Sequence, residues 1–171
     1  QYFKDLNLNT CFFYLSFYYT NFLNFIPIER KIVEVGDISD NNENTNNTEE
    51  QYWISIPLDN KLLPMVNTDD IGKCTKYIFD NFNEFNNQEV GLSSEILSME
   101  DIVNCFSEIT GKKFIYNNIS YLEYRDLFSK ELGNMFEFKK HINKHYCKLR
   151  DPKFWTNKNI ELTSFKNWVQ E

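Results

Sequence analysis

The sequence predicts an α/β protein, and three observations carry that expectation. Thr10 to Leu15 (TCFFYL) is a near-continuous apolar run, the pattern of a strand covered on both faces in a parallel sheet. Leu97 to Tyr116 (LSMEDIVNCFSEITGKKFIY) holds a helix, a glycine stop and a strand in succession. Short β-branched and aromatic runs alternate with helical patterns along the rest of the chain, as layered α/β folds require.

Taken in order, Gln1 to Leu6 reads as the last turns of a helix, with Asn7 as its left-handed cap. Thr10 to Leu15 follows as the buried strand, and Ser16 to Asn24 as the loop leaving its carboxyl end. Cys11 to Ile28 invites a membrane reading. A span wants about 20 apolar residues, however, and Ser16, Thr20, Asn21, Asn24 and Pro27 interrupt this one. Residues 36–50 contain an Asn-rich acidic stretch, DISDNNENTNNTEE, which has nothing to bury and reads as a flexible surface insertion. Tyr52 to Pro57 and Leu62 to Val66 read as strands around a turn at Asp59-Asn60.

Thr68-Asp69-Asp70 opens a helix, where two acids and a threonine suit the positive N-terminus. Ile71, Cys74, Thr75, Ile78 and Phe82 form its inner stripe, and Gly72 is expected to permit close backbone packing. Glu89 to Ser93 is another short strand. Ser98 with Asp101 then starts a helix as a capping box, and Met99, Ile102, Val103, Phe106 and Ile109 recur at helical spacing. Gly111 supplies the left-handed stop, and Phe114 to Tyr116 reads as a strand. From residue 97 onward the chain is mostly helical. Ser120 with Glu123 is a second capping box, for a helix running to Leu132 and bent at Gly133-Asn134. A helix resumes through Met135, Phe136 and Ile142, Asp151-Pro152 breaks the pattern, and Thr163-Ser164 caps a last helix with Phe165, Trp168 and Val169 turned inward.

Composition narrows the function classes. The 171 residues suffice for one domain with a core, and 17% are aromatic, so large rings must supply much of the burial. A net charge of −7 argues against direct nucleic-acid binding, which wants a basic face; only Lys139–Lys140 to Arg150 looks locally basic. The four cysteines lie far apart with no C-x-x-C pair, and are read as reduced cytosolic thiols. The chain begins at Gln1 and shows no signal-peptide layout. Its five glycines form neither a G-x-G-x-x-G nor a P-loop, so a self-contained nucleotide site is not expected.

Catalytic constellations are sparse. No Tyr-x-x-x-Lys pair can be drawn through Tyr14, Tyr18, Tyr19, Tyr77 or Tyr116, so no phenol has a lysine positioned to activate it. His141 and His145 have zinc-ligand spacing but lack further ligands, and a solvated basic face is the simpler reading. Asp69 and Asp70 read as helix-start acids.

In order and spacing these segments resemble the C-terminal half of the NmrA-like family, atypical members of the short-chain dehydrogenase/reductase superfamily. LNLN followed by CFFYLSFYYTNF is similar to the family's L-G-[LI]-P and T-[FY]-L-R-P-G-x-F-x-E-N-[FL], with Asn21 on the final Asn. Pro57 through Pro64 and then Asp70-Ile71-Gly72-Lys73 resemble its P-x-x-x…D-I-G-[KR] run. LSMEDIVNCFSEITGKKFIY is similar to its L-[ST]-x-x-E-[IL]-A…S-x-x-[TL]-G-K-x-[VI]-x-Y, and LTSF with Trp168 to its ending.

The resemblance implies that residues 1–171 are the later part of a Rossmann-like doubly wound sheet with a mainly helical substrate-side subdomain. It implies NADP or NAD as cofactor of the complete domain, held through a G-x-x-G-x-x-G half, and none for this chain alone. Ser16, Phe17, Tyr18 and Asn21 then fall on the cofactor-binding wall beside the nicotinamide. The usual Arg-Pro-Gly is here Tyr14-Leu15-Ser16, and the usual Glu is Thr20. The implied role is that of a cytoplasmic regulator, also nuclear in some settings, with a protein partner. The alternatives are part of a reductase or a truncated gene product. An α/β sheet built only from its later strands is expected to oligomerise or aggregate when expressed alone.

Overall fold

The computed structural model describes residues 5–6, 8–35 and 47–171. Most of the helical turn expected at the N-terminus, the cap at Asn7 and residues 36–46 of the insertion lie outside the described residues.

Among the described residues the expected α/β architecture is present as three small sheets. Strand β1 (Phe12–Tyr14) pairs in parallel with β6 (Glu89–Gly91). Strand β2 (Phe17–Tyr18) lies parallel to β5 (Leu63–Val66), and β5 pairs antiparallel with β7 (Glu95–Leu97). Strand β3 (Ile28–Val35) is antiparallel to β4 (Asn47–Ser55), which runs parallel to β8 (Lys113–Asn117). The helices are α1 (Asn21–Asn24), α2 (Thr68–Asp80), α3 (Phe82–Phe85), α4 (Met99–Thr110), α5 (Tyr121–Leu127), α6 (Lys130–His141), α7 (Asn143–Leu149), α8 (Lys153–Thr156) and α9 (Phe165–Gln170). None of the described helices is long and apolar enough to cross a membrane.

The segment 98–117 follows its sequence closely. The Ser98 side chain accepts from the Asp101 amide at 3.1 Å, and the Asp101 carboxylate accepts from the Ser98 amide at 3.1 Å. Gly111 closes α4 at φ 68°, where a Cβ would be strained. Met99, Ile102, Val103 and Phe106 are buried against the main core, with Phe22, Tyr124, Phe136 and Phe165. A second core gathers α2 and α3 around Trp155, whose Nε1 donates to the Gly91 carbonyl at 2.9 Å. Large rings fill both, as the aromatic content requires.

Four expectations need correction. The aromatic run is not one strand covered on both faces: β1 stops at Tyr14, its residues are half-buried, and Ser16 to Asn24 is not a plain loop but holds β2 and α1. The chain steps from β6 to β5 because both ends of the step are tied. The Leu92 amide donates to Tyr14 O at 2.9 Å, and the Tyr19 amide to Val66 O at 3.0 Å. Residues 47–50 belong to β4 rather than to an unstructured insertion, with Val33 opposite Glu49 and Glu34 opposite Thr48. Cross-strand charges support this polar ribbon, since Arg30 pairs with Glu50 and Lys113 with Glu49.

The helix break falls at Phe128–Ser129, not at Gly133, because Ser129 caps α6 by accepting from the Leu132 amide at 3.3 Å. Gly133 instead lets α5 and α6 approach; a Cβ there would sit 2.3 Å from Arg125 Cγ. Gly72 was expected to permit close packing, yet a Cβ there would meet nothing within 4 Å.

Candidate functional site

The step from β1 to β2 creates a concavity. Leu15, Ser16, Phe17, Tyr18 and Asn21 form one wall of a cleft of about 440 Å³. Leu132, Met135, Phe136 and Lys139 of α6 form the other. The first wall lies at the carboxyl end of parallel strands, where α/β proteins bind ligands.

All four residues singled out in the sequence for a cofactor wall, Ser16, Phe17, Tyr18 and Asn21, thus line one cleft. Their states differ. The Ser16 hydroxyl donates to the Leu92 carbonyl, so it fixes the turn. Phe17 is buried edge-on to Phe22 at 5.5 Å and tilted against Phe136 at 6.3 Å. Among the described residues, neither the Tyr18 hydroxyl nor the Asn21 carboxamide has a hydrogen-bond partner. Tyr19, next along, is buried and donates from its hydroxyl to Thr163 O at 3.0 Å. Burial, then Glu95 and Asp70, push its phenol far above the ordinary tyrosine value, so it is no proton donor near neutrality.

In the sequence, Lys139–Lys140 to Arg150 reads as one locally basic stretch, with a solvated face at His141 and His145. The structure separates its cations. Lys140 reaches Asp59 at 3.2 Å and Glu137 at 3.3 Å, and His141 reaches Glu137 at 3.0 Å. Lys139 and Arg150 are instead buried. The Lys139 ammonium lies 5.5 Å from the Phe17 ring, 5.7 Å from Phe136 and 5.5 Å from Tyr146. Arg150 places its guanidinium 3.9 Å from the Tyr146 ring and donates from Nε to Leu15 O at 3.2 Å. Neither cation has a carboxylate partner among the described residues.

Burying an unpaired ammonium costs several kcal/mol. Cation–π contacts return about 0.5–2 kcal/mol, and the helix C-terminus about 1 kcal/mol or less. A net penalty therefore remains: burial, with Arg150 adding to it, pushes the Lys139 ammonium down to about 8. A signal for this was legible. Leu132, Met135, Phe136 and Lys139 fall at i, i+3, i+4 and i+7, so the lysine continues the inner stripe of α6.

Asp70 is the opposite case. It is a wholly buried carboxylate, not merely a helix-start acid. It accepts from Ser94 Oγ at 2.6 Å, from the Thr163 amide at 2.8 Å and hydroxyl at 3.1 Å, and from Lys73 Nζ at 2.7 Å. Burial pulls its carboxyl upward, but the bonds from Lys73, Ser94 and Thr163 outweigh that and hold it below the usual carboxylate value. Asp69 is exposed, as a first-turn acid should be.

His141 ends α6 while His145 lies on α7, and no group of three potential metal ligands occurs among the described residues. The four cysteines are free. Burial pushes the Cys74 thiol up to about 12, which removes it as a nucleophile.

The profile of the NmrA-like family matches residues 1–168. The chain belongs to the NmrA-like family. An NmrA-like family domain-containing protein of Dictyostelium discoideum is 29% identical over 122 residues, which cover 71% of this chain and 36% of the relative. The crystal structure of NmrA, a negative transcriptional regulator, in complex with NADP superposes with a TM-score of 0.65 at 16% identity, over 99% of this chain and 54% of that one. A nucleoside-diphosphate-sugar epimerase from Staphylococcus aureus gives a TM-score of 0.58 at 15% identity, over 70% of this chain and 43% of that one. The NmrA-like chain described here thus has the Rossmann-like α/β fold of these proteins and spans about half of NmrA's length.

Proposed function

We propose that this chain is the C-terminal portion of an NmrA-like regulator that senses NAD(P), working in the cytoplasm or nucleus through a protein partner. Its cleft receives the nicotinamide end of the dinucleotide. The phosphates are held elsewhere, because no glycine-rich phosphate loop can be drawn through these 171 residues. The observation carrying this reading is the placement of Phe17, Tyr18 and Asn21 on one wall at the carboxyl end of parallel strands, with the polar groups of Tyr18 and Asn21 unpartnered among the described residues.

Fluorescence titration with NADPH and NADH tests the proposal. The 171-residue chain alone is expected to bind neither in the micromolar range. The chain joined to a coding segment that carries G-x-x-G-x-x-G is expected to bind, and Asn21→Ala there to weaken binding roughly tenfold. A joined protein without affinity, or an Asn21→Ala variant with unchanged affinity, contradicts it.

A further inference from the structure

We propose that the cleft between α6 and Leu15–Asn21 binds a small organic acid with an apolar body, its carboxylate received by Lys139 and its charge balanced in part by Arg150. The inference concerns the cleft alone and does not require a dinucleotide.

Three observations lead to it. The chain carries 25 acidic against 18 basic residues, so carboxylates are plentiful. Lys140 and His141, beside Lys139 on the same helix, both find one. Lys139 and Arg150 are buried around the same Tyr146 ring and, among the described residues, have none. Buried charges in proteins are paired or hold a ligand, so two buried cations left without an acid mark the place where an anion comes from outside.

The wall chemistry selects the kind of anion. Phe17, Phe25, Leu132, Met135 and Phe136 make most of the cleft apolar, which suits a hydrocarbon or aromatic body. A bare phosphate fits poorly. Among the described residues a single cation, Lys139, lines the cleft, and α1, with four residues, presents no anion-binding helix N-terminus. One carboxylate against one ammonium, with the guanidinium nearby, matches the charge available.

The test is calorimetric titration of the full chain with phenylacetate, with the neutral isostere phenylacetamide and with inorganic phosphate, in the absence of dinucleotide. Phenylacetate is expected to bind at least about tenfold more tightly than the amide or phosphate. Lys139→Met and Lys139→Gln are expected to lose that preference, and Lys139→Arg to retain it. In protein labelled with ¹³C at lysine Cε, saturating phenylacetate is expected to raise the titration midpoint of Lys139. Equal binding of acid and amide, binding of neither, phosphate binding as tightly as phenylacetate, or full preference in both neutral variants overturns the proposal. Because dinucleotide is absent, none of these outcomes bears on the cofactor reading.

Discussion

Asp70 and Lys139 are both charged and both buried, yet their surroundings are opposite. Asp70 has four donors on its two oxygens, and they come from three separate parts of the chain: its own helix, the turn before β7 and the segment before α9. Lys139 has three aromatic rings, a neighbouring guanidinium and an open cleft. The difference separates two uses of buried charge. A charge whose partners are all supplied by the fold ties elements together. A charge whose partner the fold does not supply costs stability, a cost assigned at Lys139 to the proposed ligand.

The comparison can be broken at either end, and the largest effect is expected at Asp70. Asp70→Ala leaves the Thr163 amide and Ser94 hydroxyl without their acceptor and should cost about 2–4 kcal/mol. For a chain of this length that lowers the melting temperature by roughly 5–15 °C. The pH dependence has a definite sign. The folded carboxyl titrates below its unfolded value, so its contribution is complete above about pH 4 and disappears as pH falls through the folded value. The gap between native chain and variant should therefore narrow in acid, by thermal melts across that range.

Next in size is Gly91→Ala, which acts on the cation side. A Cβ at Gly91 would lie 2.1 Å from Leu149 O, a backbone atom that cannot swing away. Relief requires the end of α7 to move off β6, carrying Arg150 from Leu15 O. The expected loss is about 1–3 kcal/mol, read as a lower urea midpoint at unchanged slope.

These positions also show what the sequence could and could not reveal. Local rules were legible where they act locally. The Ser98 and Ser120 capping boxes, the Gly111 stop and the α4 stripe all stand as their residues indicate. Ser16, Phe17, Tyr18 and Asn21, which family resemblance singles out, line one wall of the cleft. What stayed hidden depends on distant partners. The break at Leu15–Ser16 is set by Leu92, Val66 and Arg150, and β3 is held by pairing with β4 more than by its own pattern. Asp70 read as a helix-start acid because Ser94 and Thr163 are remote in sequence. Lys139 is legible through its period, because it continues the α6 stripe of Leu132, Met135 and Phe136, although it sits in a run of basic residues.

The smallest expected effect is Gly72→Ala. Its helix is well formed and a Cβ there meets nothing, so the variant should gain about 0.5–1 kcal/mol through lower chain entropy in the unfolded state. A raised urea midpoint confirms that Gly72, unlike Gly91, has no packing role; a lowered one shows a role not evident in the surrounding space.

The most direct measurement of the contrast is the melting temperature of Lys139→Met against pH. Methionine keeps the apolar stem among the three rings and removes the charge. The folded lysine titrates at about 8 and the unfolded one near 10.4, so the penalty of the buried cation is complete below pH 8 and fades as pH rises between those values. Lys139→Met should therefore melt higher than the native chain at pH 7, by several degrees, with the advantage shrinking toward pH 10. A variant that melts lower at pH 7, or an advantage that does not change with pH, would show that Lys139 is held by the fold as Asp70 is, and would contradict the account.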